Sequence, residues 1–187
     1  MKCSLSLFIV VTLSMVGCSR LRSLSPESRY EEAQRRLASA NGEEARFYAL
    51  DGAAKSALDV GKPKEADAYA REALTLADKF QSDWNYGNAI HDGHVVLGRL
   101  VLLNGDRPGA CQHLLQAGDT RGSPQLNSFG PNMTLARDLL NAGERDCVLQ
   151  YFQKCRGFWK MGQDKLSEWE DAVRQQRVPA FGANLLY

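Results

Sequence analysis

Three glycine-centred turns, alike in chemistry and similarly spaced, constrain this chain more than any other feature. Val60-Gly61-Lys62-Pro63, Asn104-Gly105-Asp106-Arg107 and Ala142-Gly143-Glu144-Arg145 each end one apolar helical run and open another. Glycine just past a helix supplies the left-handed conformation that stops it, and a proline or acidic residue suits the next helix's first turn. Each turn reads as the bend of a helical hairpin. Small residues recur in phase with the bends. Ala66, Ala110 and Val148 follow the glycines at one offset; Ala54, Gly98 and Ala136 precede them at another, and Ala73, Ala117 and Cys155 come after. Such side chains let two antiparallel helices approach closely. Between these positions the apolar spacing is three and four residues, without the alternation of a strand. The expected fold class is all-α, with three hairpins at about 43–80, 84–118 and 131–160.

This pattern resembles a degenerate tetratricopeptide (TPR) repeat array. Leu97-Gly98 with Ala110 and Ala117, and Leu135-Ala136 with Phe152, match the signature, while Ala54, Ala66 and Ala73 carry the first unit. The likeness spans about residues 43 to 160. The glycine turns stand 44 and 38 residues apart, against about 34 in the family, and Leu50, His94 and Asn132 occupy the place of its aromatic. The resemblance implies a short right-handed solenoid whose first helices form a concave, partner-binding face. The extra length falls between units. Gln81 to Tyr86 reads as an extension of the second unit's first helix, capped by Ser82 or Asp83. Gly118 to Gly130 reads as a long loop pinned by Leu126 and Phe129. A helix over 164–176, carrying Leu166, Trp169 and Val173, fits the polar-faced cap that a solenoid end requires. The apolar tail 177–187, broken by Pro179, should lie along the body.

At the other end, Met1-Lys2, the apolar run from Leu5 to Val16 and Gly17-Cys18-Ser19 form a bacterial export signal. The run is short of the roughly 20 residues a spanning helix needs. Met15-Val16-Gly17-Cys18 resembles the lipobox of bacterial lipoproteins. That likeness implies removal of residues 1–17, a covalent lipid on Cys18 and anchorage to a membrane. A tether over 18–28 would follow, with a helix start at Ser25-Pro26-Glu27, and then a helical domain over 29–187. Ser19, rather than Asp, resembles the signal that releases Gram-negative lipoproteins to the outer membrane, facing the periplasm.

The chain carries 23 basic and 22 acidic residues, equal numbers once Lys2 leaves with the signal. That balance argues against nucleic-acid binding, which calls for a clustered basic surface. Cys111, Cys147 and Cys155 read first as small buried apolar residues. An exported compartment also permits a bridge. Cys147 and Cys155 share a helix about 12 Å apart along its axis, too far to pair, so Cys111 is left able to join either.

The residue after each unit's small residue is Lys55, Arg99 and Arg137. By resemblance these point into the groove, where a column of cations favours an acidic peptide or a C-terminal carboxylate. Tyr48, Asp51, Asp92 and Met133 should flank it. The plainer alternative is that these stems cover half-exposed helix surface and pair with Asp51 or Asp92. His91 and His94 share a helix face, but their spacing is not that of a zinc protease, and His94 holds a core position. No metal or other cofactor is expected beyond the lipid on Cys18. There is no phosphate loop or nucleophile elbow, so no catalysis is expected. The expected function is a membrane-anchored, protein-binding adaptor or scaffold in the cell envelope. Two alternatives are a small metal-binding or thiol-active periplasmic protein using His91, His94 and the cysteines, and a structural lipoprotein without an open groove.

Overall fold

In the computed structural model, which describes residues 25–186, the three glycine turns close identically. Gly61, Gly105 and Gly143 have φ of 72°, 84° and 93°, a region that costs a residue with a Cβ. The amide after each glycine then bonds back five residues: Lys62 to the Ala57 carbonyl at 2.9 Å, Asp106 to Val101 at 3.1 Å and Glu144 to Leu139 at 2.9 Å. These are Schellman closures, which satisfy carbonyls that a helix end leaves bare.

The described residues contain α1 (Pro26–Ser39), α2 (Gly42–Asp59), α3 (Pro63–Ala77), α4 (Tyr86–Leu103), α5 (Arg107–Ala117), the short α6 (Pro124–Phe129), α7 (Thr134–Asn141), α8 (Arg145–Phe158) and α9 (Gln163–Arg174). No strand occurs among them, and the all-α class stands. The export signal and Cys18 lie outside the described residues. Helices α2 and α3, α4 and α5, and α7 and α8 form the three hairpins, while α2, α4 and α7 touch in succession. Helix α1 covers α2, and α9 covers α8. All nine phased small positions are buried. A Cβ built on Gly98 would lie 2.3 Å from Leu135 Cδ2 of α7 and 3.0 Å from His113 Cβ of α5. Three helices therefore converge where only a glycine leaves room.

Packing changes character along the chain. Around α2, α3 and the start of α4 the core is largely alanine, including Ala53, Ala73, Ala77 and Ala89 beside Phe47 and Leu50. From α5 onward, aromatics take over. Phe152 meets Trp169 and Phe181 at ring separations of 6.0 and 6.3 Å, and Phe181 stands edge-on to Trp169 at 5.0 Å. Large rings fill the space that an α7 of eight residues leaves open. Phe181 also ties the tail to the body, as expected. Asn184, 1% exposed, takes the Met133 amide on its carbonyl at 2.8 Å and donates from Nδ2 to the Phe129 and Pro131 carbonyls.

Four boundaries and contacts depart from the sequence expectation. Helix α1 starts where the Ser25-Pro26-Glu27 signal put it, with Ser25 Oγ accepting from the Ser28 amide at 3.2 Å, so the tether expected to run to 28 gives up residues 26–28 to the helix. Residues 81–85 form turns instead of extending α4. Asp83 Oδ1 accepts from the Asn85 amide at 2.7 Å, a local bond that competes with helix. The loop after α5 contains α6, started by Ser123. It is pinned by buried Leu126; the Phe129 side chain is 62% exposed, while its carbonyl accepts from Asn184 Nδ2. The cysteines are not three buried thiols: Cys111 of α5 is bonded to Cys147 of α8, with Cα atoms 5.7 Å apart. Among the described residues Cys155 alone is free, and it is buried.

Candidate functional site

A polar seam runs between α2 and α4. Asp51, Lys55 and Asp59 follow one another at four-residue steps on α2, so they share a face. From α4, Asn88, Asp92 and Arg99 stand opposite. Lys55 Nζ pairs with Asp92 Oδ2 at 2.5 Å. The other Asp92 oxygen meets His91 Nδ1 at 2.9 Å, and His91 Nε2 lies 2.9 Å from the Tyr151 hydroxyl of α8. A carboxylate can only accept, so Nδ1 donates to Asp92. The Tyr151 oxygen also stands 3.4 Å from the Asn132 carbonyl. A continuous chain of contacts thus joins the α2 face to the third hairpin.

Burial alone would raise the Asp92 carboxyl, but the Lys55 ammonium and the His91 hydrogen bond outweigh it and hold Asp92 at about 2. Asp51 goes the other way. Burial pushes it up, the Asp92 charge adds to that, and Lys55 with Asn85 opposes only partly, so Asp51 titrates at about 7. Between about pH 4 and pH 7 the folded chain keeps a proton there that the unfolded chain has released. The contribution of Asp51 to stability therefore falls as pH rises through that window. Asp51→Asn is expected to gain about 1–3 kcal/mol over the parent at pH 8 and nothing at pH 4. Paired thermal melts across this range check it, and equal melts at pH 8 would refute it. His94, lowered to about 4 chiefly by burial, gives the opposite slope between pH 4 and 6.5, so the comparison with the variant isolates Asp51.

The cation column is a set of ion pairs. Besides Lys55 with Asp92, Arg99 Nε lies 3.0 Å from Asp138 Oδ2 and Nη1 3.9 Å from Asp59, while Arg137 Nη2 lies 3.1 Å from Asp138 Oδ1. Asp138 and Asp59 went unnoticed in the sequence. The four-residue steps Asp51, Lys55 and Asp59 were a legible signal for Asp59; nothing local marked Asp138. Met133, expected to flank the groove, is wholly buried in the core. The tail holds its amide, so the side chain turns inward. Tyr48 stacks on exposed Trp84 at 5.4 Å and donates to Asp83 at 2.7 Å. His91 and His94 do not converge: His91 points to Tyr151, and His94 Nδ1 faces His113 Nδ1 at 3.1 Å. Among the described residues no group of three or more His, Cys, Asp or Glu side chains is placed to hold a metal ion. Burial pushes the Cys155 thiol far up, the reverse of an activated thiol.

Two cavities flank the seam and share Lys55 and Asn132. The larger, about 410 Å³, is lined by Arg29, Arg36, Lys55 and Arg99 against the carboxylates Glu32 and Asp59. Leu185 and Leu186 border it. The smaller, about 240 Å³, holds Asp51, Asp92, Asn88 and Gln125 with Leu126 and Phe129. Arg137 lines neither. No helix among the described residues is long and apolar enough to cross a membrane. No family model, curated protein or solved structure matches the chain.

Proposed function

We propose that this chain is an exported, lipid-anchored adaptor of the bacterial envelope whose TPR-like hairpins hold an acidic or C-terminal segment of a protein partner. The observation that carries the reading is the larger cavity between α1, α2 and α4, lined by Arg29, Arg36, Lys55 and Arg99, each engaged by a carboxylate: Asp59, Glu32, Asp92 and Asp138. Guanidinium groups partly engaged by Asp and Glu keep donors for an incoming carboxylate, and Arg suits such planar recognition. The Cys111–Cys147 bond agrees with an oxidising compartment. Anchorage rests on the lipobox resemblance at Cys18.

The test combines both halves of the reading. In cells fed an alkyne fatty acid, the parent should take up label and Cys18→Ser should not. In-cell crosslinking should then capture a membrane-associated partner with the parent. The Arg36→Glu/Arg99→Gln variant should lose that partner while keeping its helical circular dichroism. Capture should also weaken with added salt, because exposed charge contacts are screened. Identical partners for parent and variant would make these cations ordinary surface.

A further inference from the structure

The larger cavity has an aromatic end that its cations do not explain. Tyr48 lines the cavity, and its ring stacks on Trp84 at 5.4 Å with the planes 22° apart. Trp84 is 50% exposed and Tyr48 37%, so both rings are open to an incoming group. Local bonds hold this shelf in place: Asp83 takes the Asn85 amide on Oδ1 and the Tyr48 hydroxyl on Oδ2. A contact surface fixed in advance spares a ligand the cost of ordering it. The other end of the cavity is charged. Tyr48, Gly52, Ser56 and Asp59 fall on one face of α2 and all line the cavity. Arg29 and Arg99 both reach Asp59, at 3.1 and 3.9 Å. Between the two ends lies Gly52, where an added Cβ would meet nothing within 4 Å. The ends differ in sign as well. Glu44 and Asp83 stand within 3.2 Å of the Tyr48 hydroxyl and repel an acidic group, which the guanidinium groups at Asp59 attract.

We propose that the cavity and the Tyr48–Trp84 shelf together bind one extended segment of a protein partner, with an aromatic side chain on Trp84 and a carboxylate at Arg29 and Arg99. The proposal rests on the adaptor reading and gives its partner a spacing. At about 1.5 Å of rise per residue, Tyr48 and Asp59 stand about 16 Å apart along α2. An extended chain advances about 3.3 Å per residue, so the aromatic and acidic residues of the segment lie about five positions apart. A ring suits the shelf because it can lie against the indole, and aromatic pairs of this kind add about three- to tenfold in affinity beyond the area they bury.

The full chain in detergent is titrated calorimetrically with two end-blocked peptides, Phe-Gly-Ser-Gly-Ser-Asp and its reverse, which cover both chain directions. One of them is expected to bind saturably and to shift the Trp84 indole N–H resonance. Affinity should fall about three- to tenfold when the peptide's Phe becomes Ala, when Phe and Asp are brought two positions apart, and in the Trp84→Ala protein. Trp84→Phe keeps a ring and should retain most of the affinity. Trp84 is half exposed, so Trp84→Ala should keep the parent's circular dichroism, and its loss of binding is then loss of the shelf. No saturable binding by either peptide overturns the proposal. Equal binding without Phe, with the shortened spacing or by Trp84→Ala does so too. Failure of the adaptor reading has a different signature: a peptide with Asn in place of Asp binds as tightly as the original while Phe is still required. That result also overturns the proposal, through its acidic half. In cells, a partner captured equally by the parent and Trp84→Ala but lost by Arg36→Glu/Arg99→Gln overturns the shelf alone and leaves the adaptor reading standing.

Discussion

Replacing Cys111 and Cys147 together with alanine is expected to lower stability by about 4 kcal/mol and the melting temperature by roughly 10 °C. The two cysteines are 36 residues apart in sequence, and the loop they close contains the 118–130 segment and all of α7. Cross-linking removes much of that loop's freedom from the unfolded chain, which is the chief source of the gain. The bond also joins α5 to α8, the second helices of adjacent hairpins, across the join that α6 and its flanking loop would otherwise leave long. Calorimetry of the double variant, beside the parent with and without reductant, checks the figure. The reduced parent should match the variant. A shift of only a degree or two would mean that the helix contacts alone hold these hairpins together.

His91→Ala is expected to cost about 4 kcal/mol, more than Tyr151→Phe at about 1–2 kcal/mol. His91 is fully buried, donates to Asp92 and shares a hydrogen bond with the Tyr151 hydroxyl through its other nitrogen. Its loss opens a cavity and strands two polar groups at once. Tyr151→Phe removes one hydroxyl and leaves the ring, which packs in the main core. Urea denaturation of the two single variants and the double variant measures this. Strong non-additivity is expected, because both residues belong to one hydrogen-bonded chain. Additive losses would mean that the two residues act independently.

The hairpins were legible because their signals are local. Gly61, Gly105 and Gly143 mark the chain where the backbone must turn left-handed, and the polar or proline residues after them mark the next start. Ala54, Ala66, Ala110, Ala117 and Ala136 were legible for a related reason: close helix approach demands small side chains at a fixed phase. Turn chemistry misled at residues 81–85, where the Asp83 side chain bonds its own backbone two residues on and stops helix from forming. In the loop after α5, Leu126 takes the buried place, while Phe129 keeps an exposed side chain and is held through its carbonyl by Asn184.

The candidate site was half legible. Lys55, Asp51 and Asp92 were picked out by phase and do lie together. The pairing of Lys55 with Asp92 was one of the two the sequence offered; the partners of Arg99 and Arg137 were not legible, because pairing is settled between helices rather than along one. Arg99 and Arg137 share Asp138, His94 faces His113, and Met133 turns into the core once Asn184 binds its backbone. The sequence by itself determined the helices, their turns and the phase of their contacting faces, since each follows from backbone preference and periodicity over a few residues. Only the tertiary structure decided that Cys147 rather than Cys155 meets Cys111, that one Asp51 oxygen has no hydrogen-bond partner among the described residues, and that two cavities open beside Lys55. Those outcomes depend on distances between helices, which the loops at 78–85 and 118–133 and the packing of whole faces set together.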